Sequence, residues 1–169
     1  YAPRAANTTG IEGGLVIALA RQGDRITQAS ITSTRPVGAS RVLHGKDTRK
    51  ALSMVPLLFG VCRHAQASVA AHAVSLAHGD ALDPAVTRAR EVLVAVETVR
   101  EHAMRILQEW PEFLGEELDP RTVRGLGTLV PTLEAAWFPN RDAYQRAAQV
   151  ADGRDALNEE LAKLESVFQ

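Results

Sequence analysis

The chain has 169 residues, of which 46% are apolar, enough for one compact domain with its own core. Nineteen basic and twenty acidic side chains leave a formal net charge of -1, so charge gives no reason to propose nucleic acid or an anionic membrane as a partner. The apolar runs are far shorter than the ~20 residues that cross a bilayer, and a single cysteine, Cys62, cannot form an internal disulfide. We therefore expect one cytoplasmic domain spanning residues 1–169.

A β-hairpin is predicted at the start of the chain, over about residues 11–34. An apolar run at 15–20 is followed by a turn containing Gly23 and by a β-branched run at 26–34. Glycines and a proline between 35 and 45 predict an irregular link.

From residue 47 the periodicity changes to that of helices, which predicts a helical part over about 47–168. The first helix is expected to be broken up by Pro56 and Gly60, and Asp-Pro pairs mark the starts of two later ones. The expected helices cover about 47–58, 61–78, 83–110, 119–138, 142–150 and 155–168. The predicted fold class is α+β, mostly helical, with an N-terminal antiparallel hairpin followed by a helical bundle.

The segment around Cys62 is the only part of the sequence that suggests chemistry. Cys62 is predicted at or near a helix N-terminus, where unpaired backbone amides and the neighbouring Arg63 would favour the thiolate that a nucleophile or a metal site requires. A single free cysteine is as often a small buried apolar side chain, so both interpretations stay open.

The polar neighbours of Cys62 do not form a tidy cluster by spacing. His64 would point about 200° around the helix from Cys62, which makes it a poor base. Gln66 stands one turn further on and faces the same way. Arg63 is expected to be a solvated surface side chain and Glu12 a solvated or capping acid. The other histidines singled out, His44, His78 and His102, are expected at the surface.

Two stretches resemble the opening of nickel-iron hydrogenase large subunits. Ile11-Glu12-Gly13-Gly14-Leu15-Val16-Ile17 is similar to the family's Glu-Gly-His-Leu segment, and Leu43-His-Gly45-Lys46-Asp47 with Leu57-Leu-Phe59-Gly60-Val61-Cys62 is similar to Leu-x-Gly-Arg-Asp followed by Arg-Ile-Cys-Gly-Val-Cys. In those enzymes the second motif supplies one nickel thiolate and one thiolate that bridges nickel and iron. Here Phe59 occupies the first position, Cys62 matches the bridging one, and no C-terminal cysteine pair exists. The resemblance therefore implies a site without nickel.

The stretch from Gly60 to Ala70, and Glu97-Thr-Val-Arg100-Glu-His102 with Trp110-Pro111 after it, resemble the HupK/HoxV family of hydrogenase accessory proteins. That family implies a non-enzymatic scaffold on which iron with its carbon monoxide and cyanide ligands is built or held. The implied partners are the maturation proteins that deliver the iron fragment and the hydrogenase large subunit precursor.

For individual residues, the resemblance implies that Cys62 binds iron, that Glu12 matches an acid near the metal, and that Gln66 stands where the enzymes often carry histidine. Arg63 and His64 are weaker candidates, and Phe59 with Val61 is expected to line an apolar pocket for the diatomic ligands. Two alternatives remain: a metal-free adaptor between assembly proteins, and a thiol enzyme with Cys62 as nucleophile.

Overall fold

The structure is a computed structural model, and it describes residues 13–34, 38–115, 117 and 120–167. The chain divides into two compact units, Tyr1–His44 and Gly45–Gln169, and each is described by itself. The expectation of a single domain over 1–169 stays a prediction. The α+β, mostly helical fold class is confirmed, because an antiparallel hairpin comes first and helices follow.

The first unit contains the predicted hairpin. Strands β1 (Leu15–Gln22) and β2 (Arg25–Ser33) pair antiparallel, with an irregularity between Ala20 and Arg21. The turn between them contains Gly23 at φ +60°, a backbone conformation that glycine adopts without steric cost. A short 3-10 helix at Ala39–Leu43 forms part of the irregular link.

The second unit consists of helices, and most of the predicted ones are confirmed. Asp47 and Asp83 accept hydrogen bonds from backbone amides of the first turns of α1 and α3, as expected for N-cap residues. The helices are α1 (Thr48–Leu58), α2 (Arg63–Ala77), α3 (Pro84–Gln108), α4 (Trp110–Leu114), α5 (Pro120–Trp137) and α6 (Arg154–Val167). None of the helices that the structure describes combines the length and apolarity that crossing a membrane requires.

The core of the helical unit lies mainly between α3 and α5, while α1 and α2 pack against each other and α2 also contacts α3. The fully buried side chains of largest volume are Phe138, Leu52, Leu93, Leu133 and Val130. On α3 the buried positions recur at helical spacing, which gives this helix one continuous face against the core.

Of two expectations about prolines, the first is wrong and the second is confirmed. Helix α1 runs through Pro56 to Leu58, because this proline lies in the last turn, where the loss of one amide donor removes little of the helix. The long helix does end before Pro111, at Gln108, and Pro111 lies within the first turn of α4, a short helix that was not predicted, where its fixed φ suits a helix start.

The helix predicted at 142–150 is also wrong, because this segment forms turns instead. The Arg90 guanidinium binds two of its carbonyl oxygens, those of Ala143 (2.7 Å) and Gln145 (3.0 Å), which a helix would need for its own hydrogen bonds. The segment then returns to α5: the Ala151 amide donates to the Trp137 carbonyl, and a Cβ at Gly153 would lie 2.1 Å from Cδ1 of Trp137. Only glycine fits there.

Candidate functional site

Cys62 stands at the junction between two packed helices. Helix α1 ends at Leu58, and Cys62 is the residue before α2, with φ -109°, ψ 40° and no side-chain capping bond. Its side chain is exposed. The predicted position at a helix N-terminus is therefore confirmed, and the alternative of a small buried side chain is wrong.

A carboxylate from another helix caps α2 where Cys62 does not. Oε1 of Glu97 accepts a hydrogen bond from the His64 amide (3.0 Å), and Oε2 accepts one from the Ala65 amide (3.1 Å). Glu97 is only 4% exposed, so the bonds of this charged group are shielded from water. These two amides are not free to act on the sulfur of Cys62, and the expectation of unpaired amides is wrong for them.

His64 points into the protein on the opposite side of α2 from Cys62, as predicted, and is 2% exposed. The Nε–H of Arg63 donates to Nε2 of His64 (2.9 Å), so the ring proton is on Nδ1, which donates to the Tyr144 hydroxyl (2.5 Å). Burial, with the charges of Arg63 and Arg100, lowers the pKa of His64 to about 4. His64 is therefore neutral at pH 7, and both ring nitrogens are occupied by partners other than Cys62.

Tyr144 links this site to the turn segment after α5. Its ring lies 5.8 Å from that of His64 between centroids, and the Arg90 guanidinium lies 6.0 Å from the Tyr144 centroid. Burial raises the pKa of Tyr144, so the hydroxyl stays protonated and keeps its contact with His64. The contacts of Tyr144 with His64 and Arg90, together with the two Arg90 hydrogen bonds described above, hold the turn segment next to the N-terminus of α2.

Arg63 lies against the protein rather than freely in solvent. Its Nη2 is 3.8 Å from Oε2 of Glu134, and their side chains are 36% and 29% exposed. Burial raises the pKa of Glu134, while the nearby Arg63 opposes that rise. Arg63 is thus a half-buried link between α2 and α5, and the expectation of a solvated surface arginine is wrong.

The remaining predicted residues are not brought into one cluster. Gln66 lies one helical turn after Cys62, and its side chain is exposed. Its backbone amide donates a hydrogen bond to the Cys62 carbonyl oxygen (3.0 Å). Phe59 is half-buried and Val61 is 60% exposed, and the expectation that they line an apolar pocket for the diatomic ligands stays a prediction. Glu12 lies outside the described residues. The surface positions expected for His44, His78 and His102 are confirmed.

Within the part of the chain that the structure describes, no group of three or more His, Cys, Asp or Glu side chains could hold a metal ion. Cys62 therefore offers one soft ligand that does not belong to any such cluster. Such a donor fits a metal fragment that brings most of its own ligands, and it does not fit a resident metal ion that needs a full protein shell.

The predicted site gave no role to four residues that the structure places around α2: Glu97, Arg90, Glu134 and Tyr144. Arg90 and Glu97 carried a usable signal, because they fall with Leu93 on the apolar stripe of the long helix, where a charged side chain needs a buried partner. Tyr144 and Glu134 carried no such signal in the sequence.

No protein-family model matches the chain. Three hydrogenase expression/formation proteins are similar to it. HupV of Azotobacter chroococcum mcd 1 is 34% identical over 99 residues, covering 58% of this chain. HupK of Azotobacter vinelandii is 39% identical over 71 residues (42% of this chain), and HoxV of Cupriavidus necator is 36% identical over 92 residues (54%).

The resemblance to the HupK/HoxV family is confirmed. The aligned residues make up 29% of HupV, 21% of HupK and 24% of HoxV, so the chain spans less than a third of the length of these relatives. The similarity therefore supports relatedness, and what the whole relatives do is a separate question.

Proposed function

We propose that this chain acts in hydrogenase maturation and that Cys62 holds an iron fragment carrying carbon monoxide and cyanide before the fragment passes to the hydrogenase large subunit precursor. The similarity to three proteins named for hydrogenase expression and formation supports the role in maturation. The iron fragment is cargo that arrives and leaves, and nickel has no part in the proposal.

The observation that carries the proposal is the exposed Cys62 thiol, held at a fixed junction of two helices with no metal-binding group around it in the described residues. A thiolate is a suitable ligand for iron, and the diatomic ligands fill most of the other coordination positions. One protein ligand is then enough to hold the fragment and few enough to release it. Exposure of the sulfur lets both the delivering protein and the receiving protein reach it.

Gln66 is the residue that we propose to contact the cargo. It is exposed one turn after Cys62 on the same side of α2, and its side-chain amide can donate a hydrogen bond to a cyanide nitrogen. Removing that amide should shift the cyanide stretching bands without removing the fragment.

A holding role also agrees with the surroundings of Cys62. A thiol nucleophile needs a base within hydrogen-bond reach, and the nearest histidine in sequence, His64, is buried with Arg63 and Tyr144 as its partners. The proposal is therefore that of a non-catalytic scaffold.

The test is infrared spectroscopy of protein isolated anaerobically from cells that express the iron-ligand assembly machinery. We expect bands of metal-bound carbon monoxide and cyanide in the wild type, their loss in Cys62→Ala, and their retention in His72→Ala, which removes an exposed histidine from the same helix. Bands that survive Cys62→Ala would contradict the assignment of the ligand.

The absence of a ligand cluster in the described residues also favours a second candidate, a metal-free adaptor that binds hydrogenase assembly proteins. In that case no bands and no iron appear in the wild type. Co-purification of the large subunit precursor should then be unchanged by Cys62→Ala.

A further inference from the structure

Helix α2 is capped in a different way from α1 and α3. Asp47 and Asp83 precede α1 and α3, and the side chain of each accepts hydrogen bonds from backbone amides of its own helix. Cys62 stands at the same position before α2, but its side chain makes no capping bond, and Glu97 on α3 provides the acceptors instead. The position that usually holds a local capping residue is therefore open to another use.

Glu97 binds the amides that a capping side chain at position 62 would bind. An N-cap side chain accepts from the second or third amide of its helix, and in α2 these belong to His64 and Ala65. Glu97 accepts from both, through Oε1 at 3.0 Å and Oε2 at 3.1 Å, and is 4% exposed. Because each amide has a single proton to donate, Glu97 and residue 62 compete for the same donors.

The backbone of Cys62 does not have the conformation of a capping residue. Asp47 and Asp83 are extended, with ψ 159° and 120°, whereas Cys62 has φ -109° and ψ 40°. The extended conformation is the one in which an N-cap side chain reaches its amides. Cys62 departs from it, and its side chain is exposed. The start of α2 tolerates this departure because Glu97 supplies the acceptors from another helix.

We propose that Glu97 is a positioning residue for Cys62. Since its carboxylate caps α2, the sulfur is not drawn inward to cap the helix, and the lone pairs of the thiolate remain available to an incoming metal fragment. The part that concerns the fragment rests on the proposed function, whereas the competition for the two amides does not. Without Glu97, residue 62 becomes extended and its side chain binds the amides of His64 and Ala65.

The first test combines substitutions at positions 62 and 97 in metal-free protein. Serine is a good N-cap and alanine a poor one, so comparing Cys62→Ser with Cys62→Ala shows whether the amides are open to residue 62. With Glu97 present, the two variants should have equal folding equilibrium constants in urea denaturation. Combined with Glu97→Ala, the constant of Cys62→Ser should exceed that of Cys62→Ala by about fivefold, which is the usual advantage of serine at an N-cap.

Two further backgrounds complete this test. Glu97→Gln keeps one acceptor oxygen and releases one amide, so serine should keep an advantage of about twofold even if Glu97→Ala does not fold. Glu91→Ala removes an exposed carboxylate from the same helix and should leave the two variants equal. If the ratio of the two constants did not depend on residue 97, residues 62 and 97 would not compete, and the proposal would be overturned.

Infrared spectroscopy tests the consequence for the bound fragment. A backbone amide that donates to a metal-bound thiolate withdraws electron density from the metal and so weakens the metal's back-donation to carbon monoxide. The carbon monoxide band should therefore move to higher wavenumber in Glu97→Gln and stay in place in Glu91→Ala. A band that does not move in Glu97→Gln would overturn the role at the metal. If the wild type shows no bands, the proposed function fails, and the folding equilibrium constants still decide whether Glu97 competes with residue 62.

Discussion

The two sides of the α2 N-terminus differ sharply in how they are built. On the inner side, Glu97, His64 and Tyr144 form a chain of hydrogen bonds in which each of these side chains has a partner. On the outer side, Cys62 and Gln66 are exposed, and their side chains take part in none of the hydrogen bonds found among the described residues. Two helices and a turn segment contribute to the inner side, and one helix end provides the outer side.

The inner side holds the backbone next to Cys62 in place, whereas the outer side leaves the sulfur exposed. The inner groups fix the backbone at residues 62–65, because both oxygens of a buried carboxylate are bonded to consecutive amides there. None of the hydrogen bonds found for these groups involves the Cys62 sulfur. The local fold thus presents a single thiol at a defined position without surrounding it with ligands, as a scaffold for a preassembled fragment requires.

The largest expected effect comes from removing the carboxylate on the inner side. Glu97→Ala leaves two buried amides without an acceptor, and we expect the free energy of unfolding to fall by about 3 kcal/mol. Glu97→Gln keeps one acceptor oxygen and should lower it by about half as much. Urea denaturation followed by circular dichroism measures both values.

Glu91→Ala is the matched control for this prediction. Glu91 lies on the same helix in an ion pair with Arg88, with side chains 58% and 80% exposed, so its loss should change the stability by less than about 0.5 kcal/mol. If Glu97→Ala were as mild as Glu91→Ala, the carboxylate would not be what fixes the start of α2.

A smaller effect is expected from pH, through the buried imidazole. The pKa of His64 is lowered from its ordinary 6.5 to about 4, so between these values the unfolded chain binds a proton that the folded protein does not. The stabilisation from His64 is complete above pH 6.5 and is lost as the pH falls toward 4. The full difference is at most about 3 kcal/mol at 1.36 kcal/mol per pKa unit, and about 1 kcal/mol of it is lost by pH 5.5.

The measurement compares metal-free wild type with His64→Asn, whose side chain does not titrate. The free energy of unfolding is determined from pH 7.5 to 4.5 for both proteins, and carboxylates that titrate in the same range contribute equally to each. The difference in the free energy of unfolding between the wild type and His64→Asn should become smaller as the pH falls. A constant difference would mean that His64 is not held neutral by its surroundings.

The sequence was sufficient for the outer side of the site and most of the fold. Periodicity and Asp-Pro starts located α3 and α5, and the interruption before Arg63 put Cys62 at a helix start, because these signals are local. The turn at 142–150 was missed, since a helical apolar pattern there is overridden by Arg90, which lies more than fifty residues away.

The inner side was missed for the same physical reason. The Glu97 cap joins residues 33 apart and the contact of His64 with Tyr144 joins residues 80 apart, and no local pattern specifies such pairs. The resemblance singled out the stretch from Glu97 to His102 without giving Glu97 a role, and the structure supplies one. Arg90 and Glu97 on an apolar stripe were the part of this arrangement that the sequence could have revealed.

The smallest expected effect is on the outer side, and it is the clearest test of the difference between the two sides. Cys62→Ala removes an exposed side chain that makes no capping bond, so the free energy of unfolding should change by less than about 0.5 kcal/mol. Urea denaturation of the metal-free variant beside the wild type checks this. If stability is unchanged while the infrared bands are lost, the loss belongs to the missing ligand and not to a damaged fold. A fall of 2 kcal/mol or more would instead make Cys62 a structural residue, because only a buried or bonded side chain contributes that much.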